Sequence, residues 1–234
     1  MQFLDPSLRD IATTYYGVTS GVGRCMEAIQ RRGPVNAGVI GLGVGTLASY
    51  GRPGDRMAFY EINPEVERIA RAYFTFLGDC KGTCEVFLGD GRLVLDRQGN
   101  QRYDLLVVDA FNSDSIPLHL LTTQAMQVYL RQVKADGVLA FHTTSANLDL
   151  EPVLAELARH DGLLSMIIVD GRTVDDFSRW ILVSSNQQLL AELSQGPGVG
   201  LLERRAGQAL WTDDYVNVIQ VLRTGKRWRW HGLR

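Results

Sequence analysis

Cysteine is scarce: Cys25, Cys80 and Cys84 are the only three in a chain of 234 residues. A small, odd number argues against a disulfide framework and for a reducing compartment, so a cytoplasmic location is expected. Cys80 and Cys84 have no His or second Cys pair nearby. A zinc site needs about four ligands, so the two read as structural or incidental thiols and no metal is expected. Long apolar runs are also missing. No stretch reaches the roughly 18 residues that would span a bilayer, and the opening MQFLDPSLRD lacks the basic-then-apolar plan of a signal peptide. Neither sign of charge dominates, with 24 basic residues against 26 acidic. Without a basic field, nonspecific nucleic-acid binding is disfavoured. There is no internal repeat and no low-complexity tract. The 45% hydrophobic and 21% charged content is that of an ordinary globular chain, which excludes a disordered or fibrous one.

What is present is alternation. Short, nearly continuous apolar runs fall at 37–42, 57–61, 84–88, 104–109, 137–142, 163–169 and 180–184. Such runs read as strands buried on both faces, as in a parallel sheet. Helical patterns lie between them. Asn63 followed by Pro64 reads as an N-cap with proline at the first helical position, and Val66, Ile69, Ala70 and Tyr73 then form one apolar stripe. Thr123–Val133 and Leu150–Ala158 read as helices too, while 194–200 reads as a loop. The basic-aromatic tail Lys226–His231 reads as a frayed or docked terminus. The expected fold is α/β: a doubly wound, mostly parallel, seven-stranded sheet with helices on both faces. Residues 1–36 are expected to be a short segment lining the site and 37–234 the catalytic domain.

Sheets of this kind bind ligands at the carboxyl ends of their strands. The first strand runs into Gly41-Leu42-Gly43-Val44-Gly45-Thr46, where glycines permit a sharp turn and a close ligand, and a helix should follow with free N–H groups. The third glycine comes one residue too early for the dinucleotide pattern, which disfavours a nicotinamide oxidoreductase. Glu61 ends the second strand, twenty positions after Gly41, where an acid can accept hydrogen bonds from ribose hydroxyls; it could equally compensate a helix dipole. Asp90, within Gly89-Asp90-Gly91-Arg92, could accept from an adenine amino group or simply cap a helix. Asp109 ends the fourth strand, which gives it no structural task. Asp114 follows in a polar loop and could act or cap. His142, at the end of the fifth strand, and His119 read as structural. Ser113 and Ser115 have no nucleophile elbow. Together the strand ends describe a pocket for an adenosine-bearing cation, without a metal.

The chain resembles the spermidine synthase (polyamine aminopropyltransferase) family on the class I methyltransferase fold, and within it a bacterial branch often attached to membrane segments. The resemblance runs from about Tyr15 to about Leu222. It is carried by Val39–Thr46, Tyr60-Glu61-Ile62-Asn63-Pro64, Gly89-Asp90-Gly91-Arg92 and Val108-Asp109-Ala110-Phe111, with Thr212-Asp213-Asp214-Tyr215 similar to the branch's closing motif. It implies an S-adenosylmethionine or decarboxylated S-adenosylmethionine donor, a small amine or polyamine acceptor, and a homodimer. By the same resemblance Glu61 would hold the ribose, and Asp90 with Gly91 the adenine. Asp109 would stand by the amine nucleophile, and Tyr15 or Tyr16 would line the polyamine side. Three departures bear on the product. Val44 stands where the family carries the acid that grips the donor's amine. The second loop acid falls at Asn112 unless Asp114 serves. Only about thirty-five residues precede the first strand. Without the acid at 44, ordinary S-adenosylmethionine is less repelled, and methyl transfer, a lyase reaction or a noncatalytic nucleoside-binding module stand as alternatives to aminopropyl transfer.

Overall fold

The computed structural model describes residues 1–110, 116–145, 147–171, 177–202 and 205–223. Asn112, Ser113, Asp114, Ser115 and the tail Lys226–His231 lie outside them. The apolar runs become β1 (Asn36–Ile40), β2 (Arg56–Glu61), β3 (Thr83–Leu88), β4 (Tyr103–Val108), β5 (Val133–His142), β6 (Leu164–Asp170) and β7 (Ser178–Ser184), joined by β8 (Val199–Leu201). The sheet order is β3-β2-β1-β4-β5-β7-β6-β8. Strands β3, β2, β1, β4 and β5 are mutually parallel, and β7 runs against both β5 and β6. The eighth strand corrects the loop expected at 194–200: Val199, Gly200 and Leu201 pair antiparallel with Ile168, Ile167 and Met166.

The helices are α1 (Gly21–Gln30), α2 (Pro64–Tyr73), α3 (Gly91–Arg97), α4 (Thr123–Gln132), α5 (Glu151–His160) and α6 (Gln187–Leu193). Alternate strand residues feed two cores, as a period of two requires. Val39, Phe59, Val107 and Trp180 pack with Val22 and Met26 of α1 and Leu189 of α6. Ile40, Tyr60, Leu106, Val108 and Phe141 pack on the other face with Leu95, Met126 and Leu154. Each such side chain contributes about 1.5–3 kcal/mol by leaving water, so both faces anchor the strand tips.

Four expectations are revised. The helix expected after the glycine loop is a five-residue 3-10 turn, Thr46–Tyr50, which Gly51, Pro53 and Gly54 keep from lengthening. The α2 stripe is only partly buried: Ala70 is covered, but Ile69 is 41% and Tyr73 74% exposed. The helix expected to reach Val133 stops at Gln132, because Val133 already pairs with Tyr103 as the start of β5. Finally, Cys80 and Cys84 are joined as a disulfide, not free thiols. The bend between them brings their Cα atoms to 6.5 Å, within disulfide reach. This bond removes the cysteine-based ground for a reducing compartment. Among the described residues, no helix is long and apolar enough to cross a membrane, and no three His, Cys, Asp or Glu are grouped to hold a metal.

Candidate active site

The order of the sheet puts β1 between β2 and β4, the point where successive strands change direction of addition and a crevice opens. The glycine loop leaves β1 there. Gly41 has φ +100°, and a Cβ on it would lie 2.4 Å from the Asp109 carbonyl oxygen. Only glycine allows the loop to pass so close to the tip of β4. On its other side the loop meets Glu61, whose Oε2 accepts from the Leu42 N–H at 3.0 Å. Its Oε1 accepts from the Asn63 N–H at 2.9 Å. The loop therefore has the Glu61 carboxylate on one flank and the backbone of Asp109 on the other. The following residue, Ile62, is 70% exposed.

Asp90 caps α3, its Oδ1 accepting from Leu93 N–H at 3.0 Å, while Oδ2 lies 3.1 Å from His119 Nε2. Gly91 lets that helix press against the sheet, since a Cβ there would come within 2.7 Å of Ile40 Cγ2. Asp90 thus stands beside the same β1 tip. Gly43 and Gly45 lie in the loop between these groups, with Gly45 at φ +82° opening the 3-10 turn. Asp114 lies outside the described residues.

Asp109 is almost wholly enclosed. Its Oδ1 pairs with His142 Nδ1 at 2.8 Å, and its Oδ2 accepts a hydrogen bond from the Tyr16 hydroxyl. The Asp109 side chain is 2% exposed. The His142 ring is sandwiched between Tyr15 and Trp180, with centroids at 4.4 and 4.7 Å. Burial, and then the charge of Asp109, push the Tyr15 phenol up to about 12. The same two causes push Tyr16 well above the ordinary tyrosine value. Both phenols are therefore neutral near pH 7, and Tyr16 is a donor to a carboxylate. Of the two adjacent tyrosines it is Tyr16 that reaches Asp109, whereas Tyr15 stacks on the imidazole. His142 was readable as a strand-end residue; Trp180 carried no sequence signal beyond lying in a strand.

A second polar group borders Asp90. The Arg92 guanidinium grips the Asp213 carboxylate through two bonds of 2.8 and 2.6 Å and also donates to the His119 carbonyl at 2.7 Å. The Thr122 hydroxyl donates to Asp213 at 2.7 Å. Hydrogen bonds from Arg92 hold the Asp213 carboxyl below the usual range. Thr212 and Tyr215 bridge across this tight turn, so the closing motif is fastened beside α3. An open hollow of about 380 Å³, lined by residues including Gln98, Asn100 and Arg131, sits at the opposite end of the sheet and contains none of these groups.

No protein-family model matches the chain. A polyamine aminopropyltransferase of Vibrio vulnificus (strain CMCP6) is 35% identical over 116 residues, which are 47% of this chain and 38% of that protein. The chain thus spans well under half of that curated relative. Among solved structures, a probable spermidine synthase from Corynebacterium glutamicum ATCC 13032 superposes with a TM-score of 0.60 at 16% identity, over 83% of this chain and 80% of the other. A spermidine synthase in complex with the transition state analogue AdoDATO gives 0.54 at 16% identity, over 74% and 63%. Human methyltransferase-like protein 13 in complex with SAH gives 0.54 at 20% identity, over 74% and 86%. The chain has the class I methyltransferase-like fold of the spermidine synthases.

Proposed function

We propose that the protein transfers an alkyl group from an S-adenosyl sulfonium to an amine, as an aminopropyltransferase resembling spermidine synthase. The observation that carries this reading is the meeting of two acidic strand ends at one glycine loop: the Glu61 carboxylate accepts from the Leu42 N–H, and the backbone of Asp109 packs against Gly41. The similarity to the Vibrio polyamine aminopropyltransferase and the superposition on spermidine synthases support it. In this reading Gly41, Gly43 and Gly45 let the donor's sulfur end approach the backbone. Glu61 accepts from the ribose hydroxyls, Asp90 and Gly91 border the adenine, and exposed Ile62 offers it an apolar face.

The reaction is an in-line displacement. The acceptor, an ammonium near pH 7, first gives a proton to a carboxylate, Asp109 or Asp114, directly or through water. The freed lone pair forms a bond to the carbon beside the sulfonium, the carbon–sulfur bond breaks, and sulfur keeps the electron pair as a neutral thioether. The alkylated nitrogen then carries the positive charge, and the carboxylate passes its proton to solvent. The leaving group is already activated, so the enzyme contributes mainly orientation and a field suited to a moving positive charge. Asp109 supplies that field, with His142 fixing its orientation, and Asp114 is a further acid for the acceptor. Val44, in place of the family's acid, leaves the donor's carboxylated form less repelled, so methyl transfer is the second outcome of the same site. This reading includes a cytoplasmic location, in which the Cys80–Cys84 disulfide would have to persist against reducing thiols.

The test is to incubate the protein with S-adenosylmethionine and with its decarboxylated form, with and without putrescine, and to resolve the products by mass spectrometry. Methylthioadenosine plus an aminopropylated amine is the expected result. S-adenosylhomocysteine would mean methyl transfer, and methylthioadenosine formed without an acceptor a lyase. Absence of any product with either donor would overturn alkyl transfer in favour of a binding module.

A further inference from the structure

We infer that Tyr16 occupies the acceptor's place at Asp109, so that an amine reaches this carboxylate only by displacing the tyrosine and the N-terminal turn that carries it. This rests on the reading above, in which Asp109 faces the amine. Both Asp109 oxygens are engaged and the side chain is almost wholly covered. The carboxylate has lone pairs to spare, but it is covered, so an entering cation must displace one of the two side chains in front of it, and these differ in how firmly they are held.

His142 is the fixed one. It ends β5, a strand paired on both sides, and its ring stacks on Trp180 of β7, a contact that stays when the turn carrying Tyr15 and Tyr16 moves. Tyr16 is the movable one. It lies on a three-residue 3-10 turn, Thr14–Tyr16, outside the sheet. Beyond the Asp109 bond, the stacking of Tyr15 on His142 and the packing of both rings on the core, two further side-chain hydrogen bonds hold the turn. Trp180 Nε1 donates to the Tyr15 carbonyl at 3.1 Å, and the Tyr50 hydroxyl donates to the Tyr16 carbonyl at 2.6 Å. The arm upstream is attached through surface contacts: Gln2 with Thr75, Arg9 with Asp79, and Lys81 with Asp10. Exposed ion pairs of this sort are weak and screened by salt. The turn is also strained at its first residue. Thr14 has φ +57°, a left-handed conformation that a β-branched side chain rarely adopts and that persists only while neighbours enforce it.

The chemistry favours the exchange. A phenol and an ammonium both donate to the carboxylate, but only the ammonium brings a full positive charge and adds an ion-pair attraction to the hydrogen bond. The tyrosine would keep the buried Asp109 satisfied while no amine is bound, because a carboxylate left buried and unpaired is costly.

Tyr16→Phe keeps the ring and removes the competing hydroxyl. The expected result is a KM for putrescine about tenfold lower, with kcat/KM raised accordingly. An unchanged or higher KM, or a kcat more than tenfold lower, would overturn the inference, the latter because Tyr16 would then be assisting the reaction. The second measurement needs no turnover. Hydrogen exchange of residues 13–20 in the wild-type protein should speed up severalfold when putrescine is added together with methylthioadenosine. No change there overturns the displacement. Faster exchange without any alkylated product would instead retain the displacement and remove only the alkyl-transfer reading.

Discussion

Glu61 illustrates how far a single residue could be read. An acid at the end of an apolar run, twenty positions after Gly41, was visible as a strand-end carboxylate, and it does end β2 beside the glycine loop. What the sequence could not express is that both oxygens already accept backbone N–H bonds, because those contacts depend on how the loop turns. We expect Glu61→Ala to weaken donor binding by about 1–3 kcal/mol, the usual cost of losing a charged hydrogen-bond partner. Isothermal calorimetry with S-adenosylmethionine checks it, and an unaltered affinity would remove the ribose assignment. Asp109 was legible for the same reason as Glu61, but its enclosure was not. Its partners Tyr16 and His142 lie 93 and 33 positions away. Choosing between Tyr15 and Tyr16 required the turn geometry at Thr14, which no residue pattern announces.

Elements were legible where burial and capping agree. The Asn63-Pro64 start of α2 is real, with the Asn63 side chain accepting from Glu65 N–H. The α1 helix begins Gly21-Val22-Gly23, poor helix formers, and is held instead by the Ser20 cap and by its almost fully buried face. The disulfide escaped because pairing at a spacing of four depends on a bend, not on cysteine count. The closing turn at Thr212–Tyr215 is anchored across 121 positions by Arg92, a distance at which pattern is silent. Arg92 is therefore a structural tie between α3 and the C-terminal segment. Arg92→Ala is expected to cost about 1–3 kcal/mol of stability, read from urea midpoints. Arg92→Lys should recover under half of that loss, since an ammonium cannot make the two parallel bonds. Full recovery by lysine would show that charge alone suffices.

At the scale of the whole molecule, the doubly wound architecture followed from alternation alone, and the two cores confirm it residue by residue. The same cores set the response to alkali. Burial pushes the Cys25 thiol up to about 12. A folded-state value raised above the unfolded one gives a contribution fully present below the unfolded pKa, near 9, and lost as pH rises toward 12. Stability should fall over that window by up to about 1.4 kcal/mol per pH unit for each such group. Urea midpoints at pH 8.5 and 10.5 would measure the fall, and Cys25→Ala should make it smaller. An equal fall in the variant would assign the effect to the buried phenols.

The reversal of β7 has one more result. Because it runs against its neighbours, its first residues, not its last, arrive at the rim with the tips of β1 and β4, which is how Trp180 comes to flank His142. Asp170 at the end of β6 and Ser178 at the start of β7 are register partners at that same rim. A shift of β7 along β5 would therefore carry Trp180 away from His142, and with it the support of Asp109, while every parallel register stays as it is.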